Sequence, residues 1–218
     1  MSDNKTKAAA FWAWFASAED GIRKLVSQVR SSVPRQAEGR EDVSRALEEA
    51  VNELSAALER FDGRLAAYIS AHHGPDGDAE LVISAEGDVQ AFPAAKRLVA
   101  HAPAIAGWRL MALKPREPDA PEGIQVGGEF LPAEAISYAL AYENGLVDIL
   151  IVLDCEDVDI DEETGFHTVT MLEEMLGEED LATRVGGLGL ETTAGVDSSI
   201  GLRPIAELPG EFDEFFRH

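Results

Sequence analysis

The sequence of 218 residues has little cysteine and no long apolar run, and each absence excludes a class of protein. Its single cysteine, Cys155, has no second thiol to pair with, which excludes an internal disulfide and indicates a reducing cytoplasm. No run approaches the roughly 20 continuous apolar residues that a membrane-spanning helix requires. The first residues also lack the basic region, apolar stretch and cleavage site of a signal peptide. The sequence therefore predicts a soluble cytoplasmic protein.

Basic residues are scarce as well, with 18 Lys and Arg against 41 Asp and Glu and a formal net charge of −23. Residues 117–183 contain no Lys or Arg, whereas residues 1–40 carry a net positive charge. A chain of this charge repels phosphate groups, which excludes nucleic acids and anionic membranes as partners. We predict an N-terminal helical segment with an aromatic cluster at residues 1–40, and an acidic α+β domain at residues 41–218.

Hydrophobic periodicity predicts the elements of the first half of the chain. Apolar residues from Val43 to Phe61 recur at three- and four-residue spacings, as in an amphipathic helix. Residues 64–73 alternate as in a strand, but they also fit an extension of that helix, and residues 74–78 are typical of a turn. Residues 81–113 follow the strand–helix–strand pattern of a β-α-β unit.

In the second half, strands are predicted at 124–130, 135–142, 146–153 and around 181–190. Asn144-Gly145 predicts a hairpin turn, because both residue types readily adopt the positive φ angles of a tight turn. Helices are predicted from Phe166 to Leu176, with Phe166 and Val169 on the apolar face, and at 209–217. The fold class is α+β: a largely antiparallel sheet with one β-α-β unit, packed by helices and preceded by the N-terminal helical segment.

The segment from residue 81 to residue 116 carries a recognisable pattern. It reads Ile-Ser-Ala-Glu-Gly at 83–87, then Phe-Pro at 92–93, Ala-Pro at 102–103, Gly-Trp at 107–108 and Lys-Pro-Arg at 114–116. In this pattern the chain resembles a family of bacterial proteins of unknown function. The resemblance implies a bacterial, cytosolic, single-unit α+β protein, and it implies no catalytic residue.

The end of the predicted strand at residue 84 offers a candidate ligand site. Ser84, Glu86 and Asp88 lie between a strand and a helix, a junction at which ligands often bind in α/β proteins. Lys114 and Arg116 follow the neighbouring predicted strand. The alternative is an ordinary turn in which Asp88 caps the next helix.

Catalytic and metal-binding motifs are missing. The clustered carboxylates of segment 154–163 suggest a binding site for a divalent cation. However, an EF-hand loop starting at Asp157 would place Glu162 where glycine is required. A solvated acidic loop is the alternative. No serine lies in a Gly-x-Ser-x-Gly motif, and the acidic neighbours of Cys155 raise the pKa of its thiol. The sequence predicts no catalytic residue, no metal ligand and no cofactor.

An aromatic cluster begins the chain, and Trp12, Trp14 and Phe15 are the candidate protein-binding residues. Neighbouring positions on a helix are about 100° apart, so these rings cannot all share one face. They either hold the N-terminal helix onto the body of the protein or form a surface for a partner or a second copy.

The sequence as a whole favours a non-enzymatic protein-binding module with an acidic surface, which binds another protein or associates with itself. One alternative is a small metal-assisted hydrolase that uses Glu86, Asp88 and carboxylates of segment 154–163. The other is a small-ligand-binding protein centred on the turn at residues 84–88.

Overall fold

The computed structural model describes residues 2–31, 40–70, 79–117, 119, 121–155 and 160–217. Its helices and sheets form an α+β fold, as the sequence predicts. The chain divides into two compact units, Met1–Lys114 and Pro115–His218. The N-terminal helix therefore belongs to the same unit as residues 41–114, whereas the sequence analysis placed a boundary after residue 40.

The first unit contains three helices and three strands in its described part. The helices are α1 (Ser2–Ser31), α2 (Arg40–Glu59) and α3 (Phe92–Ala100), and the strands are β1 (Ala66–Ser70), β2 (Ala79–Ser84) and β3 (Trp108–Ala112). The predicted amphipathic helix is confirmed as α2. Leu54 and Leu58 on its apolar face are fully buried, while Glu53 and Glu59 are exposed.

The sheet of the first unit has the strand order β1-β2-β3. β1 pairs antiparallel with β2, and β2 pairs parallel with β3 across a connection that contains α3. The predicted β-α-β unit is thus confirmed, and within residues 64–73 the strand alternative is correct for β1. The predicted turn at 74–78 lies outside the described residues. Pro93 lies in the first turn of α3, where its missing N–H costs no hydrogen bond.

The second unit contains three helices and six strands in its described part. The strands are β4 (Gly123–Val126), β5 (Glu129–Pro132), β6 (Ile136–Glu143), β7 (Leu146–Leu153), β8 (Val185–Thr192) and β9 (Arg203–Pro204). The helices are α4 (Glu162–Leu176), α5 (Glu178–Arg184) and α6 (Leu208–Phe215).

The larger sheet of the second unit has the order β8-β7-β6-β9, and β4 and β5 form a separate two-stranded sheet. β6 and β7 are joined by the predicted hairpin turn, in which Asn144 has φ of 55° and Gly145 has φ of 86°. β7 pairs parallel with β8, with α4 and α5 between them in the chain. This second strand–helix–strand crossover was not predicted from the sequence.

Two strand predictions in the second unit were wrong in their extent. The strand predicted at 124–130 is interrupted by a turn at Gly127 and Gly128, which both have positive φ, and the chain then pairs back on itself as β5. The strand predicted around 181–190 begins only at Val185, because α5 extends to Arg184. Acidic residues in the first turn of α5 favour that helix through its dipole.

The helices of the second unit cover one face of the larger sheet, called here the inner face. Tyr138, Ile149 and Ile151 project from this face into a core that includes Leu172 of α4 and Phe212 of α6. The predicted apolar face of α4 is only partly correct. Phe166 and Val169, expected in the core, are 67% and 45% exposed.

Candidate functional site

A group of four polar residues lies at the carboxyl end of β2 and is called here the β2 cluster: Tyr68, Ser84, Glu86 and Lys114. The Tyr68 hydroxyl and the Ser84 hydroxyl donate hydrogen bonds of 2.8 and 2.9 Å to Oε1 of Glu86. The Lys114 Nζ lies 3.4 Å from the same oxygen and 4.3 Å from the centre of the Tyr68 ring. The structure thus brings together three of the five predicted ligand residues, Ser84, Glu86 and Lys114.

The pairing of β1 with β2 positions this cluster. Tyr68 is opposite Val82 and Ala66 is opposite Ser84, so Tyr68 and Ser84 are diagonal neighbours on one face of the sheet. Glu86 has a positive φ of 51°, which turns the chain at the end of β2, and its N–H donates to the Ser84 hydroxyl. Sequence reasoning missed Tyr68, because only the strand register brings it to Glu86.

The electrostatics of the β2 cluster keep Glu86 ionised. Desolvation alone would raise the pKa of Glu86, but hydrogen bonds from Tyr68 and Ser84 and the charge of Lys114 lower it below its ordinary value. Burial and the hydrogen bond to Glu86 raise the pKa of Tyr68. At neutral pH the cluster therefore holds a carboxylate beside an ammonium group, an arrangement suited to binding a polar ligand rather than to transferring a proton.

The other two predicted ligand residues have different partners. The Asp88 carboxylate accepts a hydrogen bond from the N–H of Gln90, and α3 begins later, after Ala91. The expectation that Asp88 caps this helix was therefore wrong. Arg116 belongs to the second unit, where its guanidinium binds Asp180 at 2.6 Å and Asp213 at 2.8 Å. A ligand-binding role for either residue stays a prediction.

The aromatic cluster of α1 is largely buried in the first unit. Trp12 is 2% exposed, and its Nε1 donates a 2.8 Å hydrogen bond to the carbonyl oxygen of Leu98 in α3. Phe15 is fully buried, with its ring in edge-to-face contact with Trp108 of β3. Trp14 is only half-buried and borders a small cavity of about 100 Å³ between α1 and α2. Trp12 and Phe15 thus hold the helix onto its unit, and a partner surface on α1 stays a prediction.

The acidic segment 154–163 is described only at its two ends, because residues 156–159 lie outside the described part. Asp161 caps α4 by accepting hydrogen bonds from the N–H and the hydroxyl of Thr164, and these lower the pKa of its carboxyl group. Burial, and secondarily the charge of Asp154, raise the pKa of the Cys155 thiol. Among the described residues, no group of three or more His, Cys, Asp or Glu side chains is arranged to hold a metal ion.

The charge of the chain is divided unequally between the two units. Residues 115–218 contain 25 Asp and Glu and four Arg, a formal charge of −21, whereas residues 1–114 carry only −2. Three of those four arginines form ion pairs with acidic residues of the same unit, namely Arg116, Arg184 and Arg203. Most of the carboxylates of the second unit are therefore left without a cation from their own unit.

The outer face of the larger sheet, opposite α4 and α6, bears a shallow groove that sequence reasoning missed. The groove measures about 520 Å³ and crosses β6, β7 and β8. Its floor consists of small or apolar residues of the three strands, namely Ala139, Ala141, Leu150, Gly187 and Gly189. Ile200, in the loop before β9, also lines the groove. The sequence signal was the run of three glycines in β8, since glycine in a strand often marks a close approach to the backbone.

Carboxylates border this groove. Asp148 of β7 lines it and is exposed, and Glu191 of β8 is exposed on the same face of the sheet. Across the described residues, neither carboxylate forms an ion pair. The groove therefore combines an apolar floor with two negative charges that no cation of the described residues neutralises, a chemistry that suits a cationic ligand with apolar groups.

No helix in the described part of the chain has both the length and the apolar character needed to cross a membrane. The family resemblance at residues 81–116 stays a prediction. Comparison of the chain with protein-family models, with curated proteins and with solved structures found no match.

Proposed function

We propose that the chain is a non-enzymatic, cytoplasmic protein-binding module whose second unit binds a basic surface of another protein. The observation that carries this proposal is the charge of −21 on residues 115–218, with three of the four arginines already paired inside the unit. A field of this sign accelerates encounter with a cationic partner and repels nucleic acids and anionic lipids. The first unit, at −2, contributes little to that field.

In this proposal the first unit has a structural role and the second unit binds the partner. In the first unit, the aromatic residues of α1 are used for internal packing, as with Trp12 and Phe15. In the second unit, the outer face of the larger sheet is open, and the exposed carboxylates of Asp148 and Glu191 border its groove. Attraction between exposed charges is screened by salt, so the affinity for the partner should fall steeply as ionic strength rises.

Affinity capture with the full chain tests this function. A basic protein from a bacterial extract should be retained at low salt and eluted by raising the salt concentration. A variant with four exposed glutamates of the second unit changed to Gln should be retained more weakly and elute at lower salt, the four being Glu122, Glu129, Glu134 and Glu143. Capture should persist in a control variant with the same charge change on α2, at Glu48, Glu49, Glu53 and Glu59. Equal loss in both variants would contradict binding through the second unit.

A second candidate is a small-ligand site at the β2 cluster. It is favoured by one observation: Glu86 is half-exposed and lies 3.4 Å from the ammonium group of Lys114, so an exposed carboxylate and a cation occur together at one place. A small zwitterion such as a free amino acid has the complementary pair of charges. Thermal-shift measurements with the twenty amino acids, on the native chain and on Glu86→Gln, would test this candidate. A stabilisation that Glu86→Gln retains would contradict it.

A further inference from the structure

The outer edge of β8 is an open strand edge. The larger sheet has the order β8-β7-β6-β9, and no strand in the described part of the chain pairs with the far side of β8. This edge strand is eight residues long and contains neither Lys nor Pro, two residue types that commonly block edge pairing. Alternate N–H and C=O groups of β8 are therefore available to another extended chain.

The glycines of β8 open the space beside this edge. The register of β7 with β8 shifts between Val147 and Asp148, so that Gly186 is an extra residue in β8. A Cβ at Gly186 or Gly187 would lie 2.9 or 3.0 Å from Oδ1 of Asp148, and a Cβ at Gly189 would lie 3.0 Å from Cδ1 of Leu150. The glycines thus let the Asp148 and Leu150 side chains lie across β8, which places a carboxylate and an apolar side chain beside the open edge.

We propose that the edge of β8 and the outer-face groove together receive an extended basic segment of the partner protein, which adds to the sheet as a fifth strand. This proposal rests on the proposed function and specifies where the partner binds. Side chains of an added strand alternate between the two faces of the sheet. Apolar side chains in alternation with Lys or Arg would place the cations on the outer face, within reach of Asp148 and Glu191. The apolar side chains would then lie on the inner face, beside Leu188, which is 42% exposed.

The charge of the second unit decides between this occupant and a second copy of the chain. Pairing of β8 with β8 of another copy would bring two units of −21 into contact, and their repulsion opposes that association. A basic segment instead neutralises the carboxylates at the groove. The two occupants respond oppositely to salt: added salt weakens binding of a cationic strand and relieves repulsion between copies.

Fluorescence anisotropy with designed peptides tests the site in the full chain. The probe is a labelled peptide of the length of β8, eight residues, in which Lys and Val alternate. The comparison peptide has the same composition, with all valines before all lysines. We expect the alternating peptide to bind about tenfold more tightly, because only its side chains match the alternation of an added strand. Hydrogen exchange should show slower exchange of β8 amides in its presence.

Matched variants locate the binding. Asp148→Asn combined with Glu191→Gln should weaken the alternating peptide about fivefold. The control, Glu162→Gln combined with Glu163→Gln, removes the same charge from the first turn of α4, which covers the inner face, and should change the affinity less than twofold.

Three results would overturn the assignment of the site. The first is equal affinity of the two peptides together with equal effects of the two variants. Binding would then result from general electrostatic attraction to the acidic unit, which contradicts the β8 site but is compatible with the proposed function. No binding of either peptide, together with no basic protein captured by the native chain, would overturn both proposals. Protection of β8 amides at high salt without peptide, accompanied by dimer formation in sedimentation, would identify a second copy as the occupant.

Discussion

Replacing Trp12 by alanine tests how strongly this side chain holds α1 to the first unit. Trp12 is 2% exposed, so nearly all of its apolar area is removed from water. A buried Trp side chain covers about 200 Å², which at about 25 cal/mol per Å² is about 5 kcal/mol. Part of that area is already buried in the unfolded chain, so the expected cost of Trp12→Ala is about 4 kcal/mol.

The hydrogen bond of Trp12 can be separated from its apolar contribution. Trp12→Phe keeps an aromatic ring but removes the 2.8 Å bond from Nε1 to the Leu98 carbonyl oxygen. That oxygen retains the N–H of His101 as a donor, so it is not left without a partner. The net value of such a bond is about 1 kcal/mol, and with the lost ring area we expect Trp12→Phe to cost about 2 kcal/mol.

The chain offers a convenient assay for these variants, because all three of its tryptophans lie in residues 1–114. Selectively excited tryptophan fluorescence in a urea titration therefore follows the first unit alone. Trp14→Ala is the matched comparison, and since Trp14 is partly exposed the same arithmetic gives it a cost of about 3 kcal/mol, less than that of Trp12→Ala. If Trp12→Ala cost no more than Trp14→Ala, the argument that Trp12 anchors α1 would be refuted.

Three further substitutions, two of them with matched controls, have expected outcomes in the second unit. Gly123→Ala should cost more than about 3 kcal/mol in a urea titration, because φ is 154° and the new Cβ would clash with the Leu131 carbonyl oxygen. Gly210→Ala in α6, with open space around it, should be neutral or stabilising. Arg116→Met should cost about 2 kcal/mol after allowance for solvent screening, against less than about 1 kcal/mol for Arg184→Met, which loses one exposed ion pair. Asp161→Ala should lower the melting temperature at pH 7 and leave it unchanged at low pH. Folding lowers the pKa of the Asp161 carboxyl group from 3.8, so its contribution to stability is complete above that value and is lost as the pH falls through the lower folded value. An equal drop in melting temperature at both pH values would contradict the capping role.

Local sequence signals predicted those elements whose structure depends on neighbouring residues. The apolar stripe of α2 and the Asn144-Gly145 turn carry their own conformational preference, so both were correct. The Gly127-Gly128 turn carries a hairpin signal of its own, two glycines between apolar runs, but the apolar pattern from Ile124 to Phe130 also fits one continuous strand. The difference between the predicted strand and the observed hairpin therefore depends on how this local pattern is divided, and not on contacts between distant segments.

The candidate sites were less predictable, because they depend on pairing between distant segments. Ser84 and Glu86 are neighbours in sequence, but Tyr68 joins them only through the register of β1 with β2. Arg116 is a cation that follows a predicted strand, as a ligand-binding residue would be, but its guanidinium forms ion pairs with Asp180 and Asp213. The outer-face groove requires the parallel pairing of β7 with β8, across residues that the sequence alone did not connect.

That parallel pairing also sets the order in which the second unit folds. β6 and β7 are separated by the two residues of one tight turn, so their hairpin closes within microseconds. β8 is separated from β7 by a long connection that contains α4 and α5, and the entropy of closing that loop makes the pairing of β8 with β7 the slower step. Until then one edge of β7, the most apolar strand of the chain, is exposed to other partly folded molecules. The negative charge of residues 115–218 keeps such molecules apart during this interval, so the same carboxylates protect the nascent chain from aggregation.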